Sequence, residues 1–423
     1  MRVAHRRATL AVMTSSIEPD QYRPRVVVAG GGVAALEACL FLRAYVGESD
    51  VDIDLLTPSQ IFSYRPLSVL ESFGGARTWS MPLHRFAADQ DVTLVHDALG
   101  TVLGREQAIV TTSGVRSRYD LLLVAIGARP TPQLPGAITF QGATDAPLLS
   151  RLLDDAAARL RPRIAFAVGP ATSWPLPLYE LALLTAGELR ARGARCEITL
   201  VTPEAAPLEL FGTRASAVVA GLLADRGVTV IANAEPLAVS EGELRLVDGR
   251  SIGADRVVAL PRAAGRFVEG LPHDAEGFVP VDPHGRVEGL EGVYAAGDIT
   301  TFPFKQGGLA TQQADAAAEA MLADLGLPIE PQPFSPVLQG VLYTGGEPAY
   351  MRTPLADDVA PGTEPRSYSM WWPPSKIAGR FLSSYLTVRA GAPRAPETRP
   401  SSDVVPVRVD VGEALADAGR APS

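Results

Sequence analysis

The segment Val26-Val27-Val28-Ala29-Gly30-Gly31-Gly32-Val33-Ala34-Ala35-Leu36-Glu37 constrains the fold more than any other stretch of the chain. Its apolar opening predicts a β-strand buried on both faces, its glycines a tight turn, and the residues from Val33 onward a helix. Gly30 permits the turn. Gly32 lets backbone approach a pyrophosphate with no side chain in the way, and Ala35 stands where a small residue lets the helix pack on the strand. The N–H groups that open such a helix lack intrahelical partners and sit at the positive end of its dipole, so they suit a phosphate. Gly30, Gly32, Val33, Ala34 and Ala35 are therefore candidate cofactor contacts.

A second segment, Gly292-Val293-Tyr294-Ala295-Ala296-Gly297-Asp298, follows about 260 residues later. A short apolar strand runs into Gly297 and Asp298, and a carboxylate at a strand end can accept hydrogen bonds from sugar-like hydroxyls. Between the two lies Tyr119 to Pro130, a buried strand that ends in Ala125, Ile126 and Gly127, small enough at its end for backbone to pass close to a cofactor.

In this order the three segments resemble the flavoproteins with two dinucleotide-binding domains, the pyridine nucleotide–disulfide oxidoreductases, over roughly residues 25 to 390. The resemblance implies an α/β fold with two Rossmann-like dinucleotide-binding domains, the FAD domain split by an inserted NAD(P)-type domain, and a small C-terminal cap. The divisions expected are a disordered extension at 1–24, FAD-binding parts at 25–145 and 264–330, the inserted βαβ domain at 146–263, the cap at 331–389 and a disordered tail at 390–423. FAD would be held by Gly30, Gly32, Gly297 and Asp298, with Ala125 and Gly127 beside it. Thr57 stands where relatives carry an acid for the adenosine ribose, which weakens that contact. Arg65 and Pro66 lie in the Phe62–Val69 loop, which in sulfide:quinone oxidoreductases and type II NADH dehydrogenases runs beside the flavin. Thr93 to Val95 and Ala108 to Thr111 read as strands of a small antiparallel sheet, with Ala98 near the adenine. Gly307 and Gly308 open an Ala-rich helix whose N–H groups, at Gly308 and Leu309, would face the flavin. Gln312 and Gln313 would line the site, and Lys305 would add positive charge or stand as a solvated loop lysine.

A second βαβ pattern follows: strand Arg163 to Val168, helix Leu176 to Arg192, strand Cys196 to Val201. Its turn reads Gly169-Pro170-Ala171-Thr172-Ser173-Trp174-Pro175, where NAD(P)H-using relatives carry three glycines. Ala171 and Trp174 replace two of them, and Pro170 and Pro175 remove N–H donors. Glu204 is the nearest approach to a ribose acid. Two readings stay open: a nucleotide fold that has lost nicotinamide binding, and a non-standard loop that still admits NAD(P)H.

With 423 residues, 47% of them hydrophobic, the chain can build two or three domains. A net charge of −9 without a basic run excludes nucleic acid as an expected partner. The only cysteines, Cys39 and Cys196, are far apart, so no redox pair, disulfide framework or metal site is expected, and a cytoplasmic location fits. In Trp371 to Leu386, the residues Ile377, Phe381, Leu382, Tyr385 and Leu386 fall on one helical face. This reads as a helix covering the flavin, with interfacial membrane contact as the alternative.

The function expected is a FAD-dependent oxidoreductase passing two electrons through the flavin between a small-molecule donor and acceptor. NAD(P)H as donor stays open, no catalytic acid or base is nominated, and homo-oligomers are compatible. The alternatives are a membrane-surface quinone reductase and a non-catalytic FAD-binding partner protein.

Overall fold

The computed structural model describes residues 22–75, 77–355, 365–367 and 369–389. The expected extension, apart from its last three residues, and the tail from 390 lie outside the described residues.

The chain opens with β1 (Arg25–Ala29), α1 (Val33–Tyr45), β2 (Asp52–Leu56), β3 (Thr93–Val95) and β4 (Leu121–Val124). It then builds a second layer from β5 (Ile138–Thr139), β6 (Arg163–Ala167), α2 (Leu176–Ala191), β7 (Glu197–Val201), β8 (Val228–Ile231) and β9 (Arg256–Ala259). It returns through β10 (Val293–Ala295) and α3 (Gly307–Asp324), and ends in the hairpin β11 (Val337–Leu342) and β12 (Ala349–Pro354).

The first sheet has the order β10-β4-β1-β2-β3 and is parallel throughout. Its central strands are apolar on both faces because helices and loops cover both sides, which is why the sequence shows runs rather than alternation. The second sheet, β5-β9-β6-β7-β8, is also parallel. It takes its first strand from residues 138–139, ahead of the expected division at 146. A two-stranded antiparallel ribbon, Arg129–Thr131 against Arg262–Ala264, carries the chain out of the first sheet and back.

Two expectations are corrected. Thr93–Val95 joins the parallel sheet beside β2 as its edge strand, while Ala108–Thr111 does lie in a small antiparallel sheet, with Leu99–Leu103 and Arg116–Arg118 as its partners. Three residues are too few to reveal their partner, and the hydrogen bond from Thr57 N–H to the Val95 carbonyl helps fix the choice. In the C-terminal segment the helix begins at Leu382 rather than near Ile377. Ile377, Leu382, Tyr385 and Leu386 are nevertheless buried in the core. Phe381 packs edge-on to Phe41, and Tyr385 to Phe86, so this face turns inward. Among the described residues no helix is long and apolar enough to cross a membrane.

Candidate functional site

The strand–turn–helix unit places its glycines by steric necessity. Gly30 has φ +139°, and a Cβ there would collide with the backbone carbonyl of Ala125 on the neighbouring strand. Only glycine satisfies both conditions. Gly32, which precedes α1, is different. Its φ of −99° suits any residue, yet nothing lies within 4 Å of where a Cβ would project. No side chain caps α1. The helix therefore presents its opening N–H groups and dipole to open space, as an anionic ligand requires.

The distant motif arrives beside it. Gly297 has φ +80°, and a Cβ there would stand 3.0 Å from the Cβ of Ala34 and 3.4 Å from that of Ala310. Small residues at all three positions let the starts of α1 and α3 converge on this turn. The Gly297 N–H donates to Gln313 Oε1 at 2.7 Å, and Gln313 Nε2 donates to Thr300 Oγ1 at 3.2 Å, which locks the turn from behind. Asp298 accepts no hydrogen bond from the described residues. Burial pushes its carboxyl pKa up, and the nearby charges of Lys305 and Arg65 pull it down. A desolvated carboxylate flanked by two cations, with its lone pairs free, fits the hydroxyls of a ribityl chain. The open turn at Gly32 and the free carboxylate of Asp298 suit a pyrophosphate and the sugar-like hydroxyls next to it, two adjoining parts of a flavin dinucleotide.

The other expected residues divide. Gly127 lies at the end of β4 with φ +66° and open space around it. The N–H of Ala125 is committed to the Ala29 carbonyl, 2.7 Å. Arg65 is exposed and Pro66 half-buried at the head of a short 3-10 turn, and Arg65 is near enough for its charge to act on Asp298. Thr57 is buried, and its hydroxyl accepts the Ser59 N–H at 3.2 Å. A Cβ on Gly31 would meet that hydroxyl at 2.7 Å, so Thr57 packs under the glycine turn. The Ala98 N–H donates to the Asp97 carboxylate at 2.7 Å.

The start of α3 is not bare. Gln306 caps it by accepting the Leu309 N–H at 2.8 Å, and Ile377 packs where a Gly307 side chain would begin. Gly308 therefore opens a capped helix and the Leu309 N–H is taken, contrary to expectation. Gln312 is also reassigned. It donates to the Val337 carbonyl at 2.9 Å and accepts the Val337 N–H at 2.8 Å, so it holds β11 rather than lining the site. Lys305 is no free surface lysine. Its ammonium donates to the carbonyls of Thr300 (2.5 Å) and Phe302 (2.7 Å) and lies over the Phe278 ring. Burial lowers its pKa to about 8, against the pull of Asp298.

Two buried carboxylates, which the sequence reading passed over, fasten the C-terminal segment across both units. Glu37 of α1 is fully buried and accepts the N–H groups of Phe381 and Leu382, each at 2.7 Å. Glu180 of α2 is fully buried and pairs with Lys376 Nζ at 2.5 and 2.6 Å. The Tyr64 hydroxyl accepts the Ile377 N–H at 3.1 Å between them. A signal existed: each glutamate interrupts a long apolar run, and a charge there must have a partner.

The Glu37 carboxyl lies against that of Asp315 on α3, whose Oδ1 has no other hydrogen-bond partner among the described residues. Burial pushes both carboxyls up, so the folded pair keeps a proton that the unfolded chain releases near pH ~4. The stability from this raised pKa is full below that pH and is lost as pH rises through the folded pair's value. Asp315→Asn, which offers an amide N–H to Glu37 without needing a proton, should flatten the fall of Tm with pH above ~4. Thermal melts across the pH range check this, and an unchanged profile would discard the shared proton.

One five-stranded parallel sheet that the chain leaves and rejoins around a second gives two Rossmann-type units, with a free carboxylate at the returning strand. Residues 181–320 match the model of the family described as pyridine nucleotide-disulphide oxidoreductase. The chain is 28% identical over 301 residues to an NADH dehydrogenase-like protein of Mycobacterium tuberculosis, covering 65% of this chain and 72% of the relative. It is 27% identical over 339 residues to the ferredoxin–NAD(+) reductase subunit of a Pseudomonas putida benzene 1,2-dioxygenase system, covering 70% and 74%. The fold superposes on the sulfide:quinone oxidoreductase of Aquifex aeolicus with a TM-score of 0.71 at 20% identity, covering 81% of this chain and 86% of that one.

Proposed function

We propose that the protein is a FAD-dependent oxidoreductase that passes two electrons through the flavin from a small-molecule donor to a small-molecule acceptor. The observation that carries this is the meeting of an uncapped helix start, open at Gly32, with the unpartnered carboxylate of Asp298. Relatives named as NADH dehydrogenase-like and ferredoxin–NAD(+) reductase support the reaction class.

Bound FAD supplies the two-electron redox chemistry. In this reading the N–H groups of Val33, Ala34 and Ala35 hold the pyrophosphate, and Gly32 keeps the approach clear. Asp298 accepts hydrogen bonds from ribityl hydroxyls and so orients the ring system. Lys305 and Arg65 keep the local potential positive, which favours negative charge accumulating beside them. The segment around Ile377 excludes water from the side of α3. Residues 25–145 and 264–330 then act as the FAD-binding unit, 146–263 as the second unit and 331–389 as its cover, and a cytoplasmic location fits the two unpaired thiols.

Asp298→Ala tests the assignment. Losing a charge-assisted hydrogen bond worth ~1.5–3 kcal/mol should weaken FAD binding about 10- to 100-fold. Fluorescence titration of the apoprotein measures it, and an unchanged affinity would remove Asp298 from the site.

A further inference from the structure

The second glycine turn is occupied by the protein itself. A Cβ at Gly169 would collide with the side-chain amide of Gln133, which lies directly on the turn. That amide donates to Thr172 Oγ1 and to the Leu260 carbonyl, both at 2.9 Å, and accepts the Ala171 N–H at 3.2 Å. It takes the space and one of the donors that a pyrophosphate would need. The remaining donors are depleted. Pro170, Pro175 and Pro177 have no N–H, the Thr172 N–H donates to the Gly169 carbonyl at 3.1 Å, and that of Leu178 to the Pro175 carbonyl at 2.9 Å.

The start of α2 is also roofed. Gly340 of β11 presses so close that a Cβ would stand 2.9 Å from Leu176 and 2.6 Å from the Phe211 ring. The hairpin is fixed there by the Tyr343 N–H, which donates to Glu180 at 2.8 Å, and the segment that follows it by the Lys376–Glu180 pair. The position of a ribose acid is spent as well: Glu204 accepts the Tyr179 hydroxyl at 2.5 Å and that of Thr202 at 2.9 Å. Electrostatics points the same way. No lysine or arginine occurs in 164–189 or 197–213, whereas Glu204 and the exposed Glu209 do, so a dinucleotide would bring its negative charge to an acidic, donor-poor surface.

We infer that the second dinucleotide fold excludes NAD(P)H: Gln133 and the C-terminal hairpin fill its coenzyme seat, and the reductant of the flavin carries no adenine dinucleotide. This rests on the flavin reading above. It gives the second unit another task, as the platform on which the covering segment is bolted.

The experiment uses the holoprotein, with FAD verified from the visible spectrum before any coenzyme is added. Under anaerobic conditions, millimolar NADH and NADPH should leave the flavin band unchanged while dithionite bleaches it, and ADP-ribose should not shift Tm. Bleaching by either coenzyme, or a Tm rise with ADP-ribose, overturns the inference. A colourless protein that refuses FAD would instead sink the flavin reading. Gln133→Ala adds a second readout. Loss of the plug should lower Tm and bring no reduction by NADH; a variant with unchanged Tm that becomes reducible would make the amide a displaceable gate and overturn the inference.

Discussion

Gly32→Val should give a folded protein that purifies without colour. The space beyond Gly32 is open and its backbone suits any residue, so the change costs the apoprotein at most about 1 kcal/mol as a poorer helix cap. The added side chain would stand where the pyrophosphate passes, and FAD affinity should fall at least ~100-fold, or ~2.7 kcal/mol. Gly30→Val is the contrasting control. There the new Cβ meets the Ala125 carbonyl and the backbone is left-handed, so the fold itself loses about 3 kcal/mol or more. Circular dichroism and an FAD titration separate the two. A Gly32 variant that stays yellow with native affinity would mean that no phosphate crosses this turn.

Lys376→Met should be among the most destabilising single changes in the molecule. Lys376 is 8% exposed and Glu180 0%, and removing the ammonium leaves the carboxylate with only the Tyr343 N–H. An orphaned buried charge costs ~3–5 kcal/mol. Burial already raises the Glu180 pKa against the pull of Lys376, so losing that cation raises it further. The variant's deficit should therefore be smallest at low pH, where Glu180 is protonated, and grow as pH rises through its folded pKa. Glu180→Gln combined with Lys376→Met should recover most of the loss, because the neutral amide removes the orphaned charge while its oxygen still accepts the Tyr343 N–H. Denaturant unfolding of the wild type and the two variants tests this, and a double variant no more stable than Lys376→Met would refute the account.

Much of the candidate site's local geometry was legible because it is set by adjacent residues. A strand, a glycine turn and a helix start are specified by adjacent residues, and so is a strand ending in Gly297 and Asp298. What was misread turns on direction. Gln312 and Gln313 differ by one position on a helix, so their side chains diverge by ~100°. One reaches Gly297 and the other Val337, and neighbours far away in sequence decide which. Gln306 was not expected as a cap because its competition with a ligand for the Leu309 N–H exists only once α3 has a start. The eroded second turn was visible as missing glycines, but Gln133, which fills it, lies 36 residues earlier and carries no mark in the sequence.

The sequence by itself determined the two nucleotide-type units, the flavin-like motifs and the absence of a cysteine pair, since each depends on residue type and short-range spacing. Only the tertiary structure decided where the freed donors and charges end up. It left the start of α1 and Asp298 open, closed the start of α2, and set Glu37 and Glu180 as anchors for a distant segment. The physical reason is that a buried polar group must find its partner in space, and the chain chooses that partner only by folding.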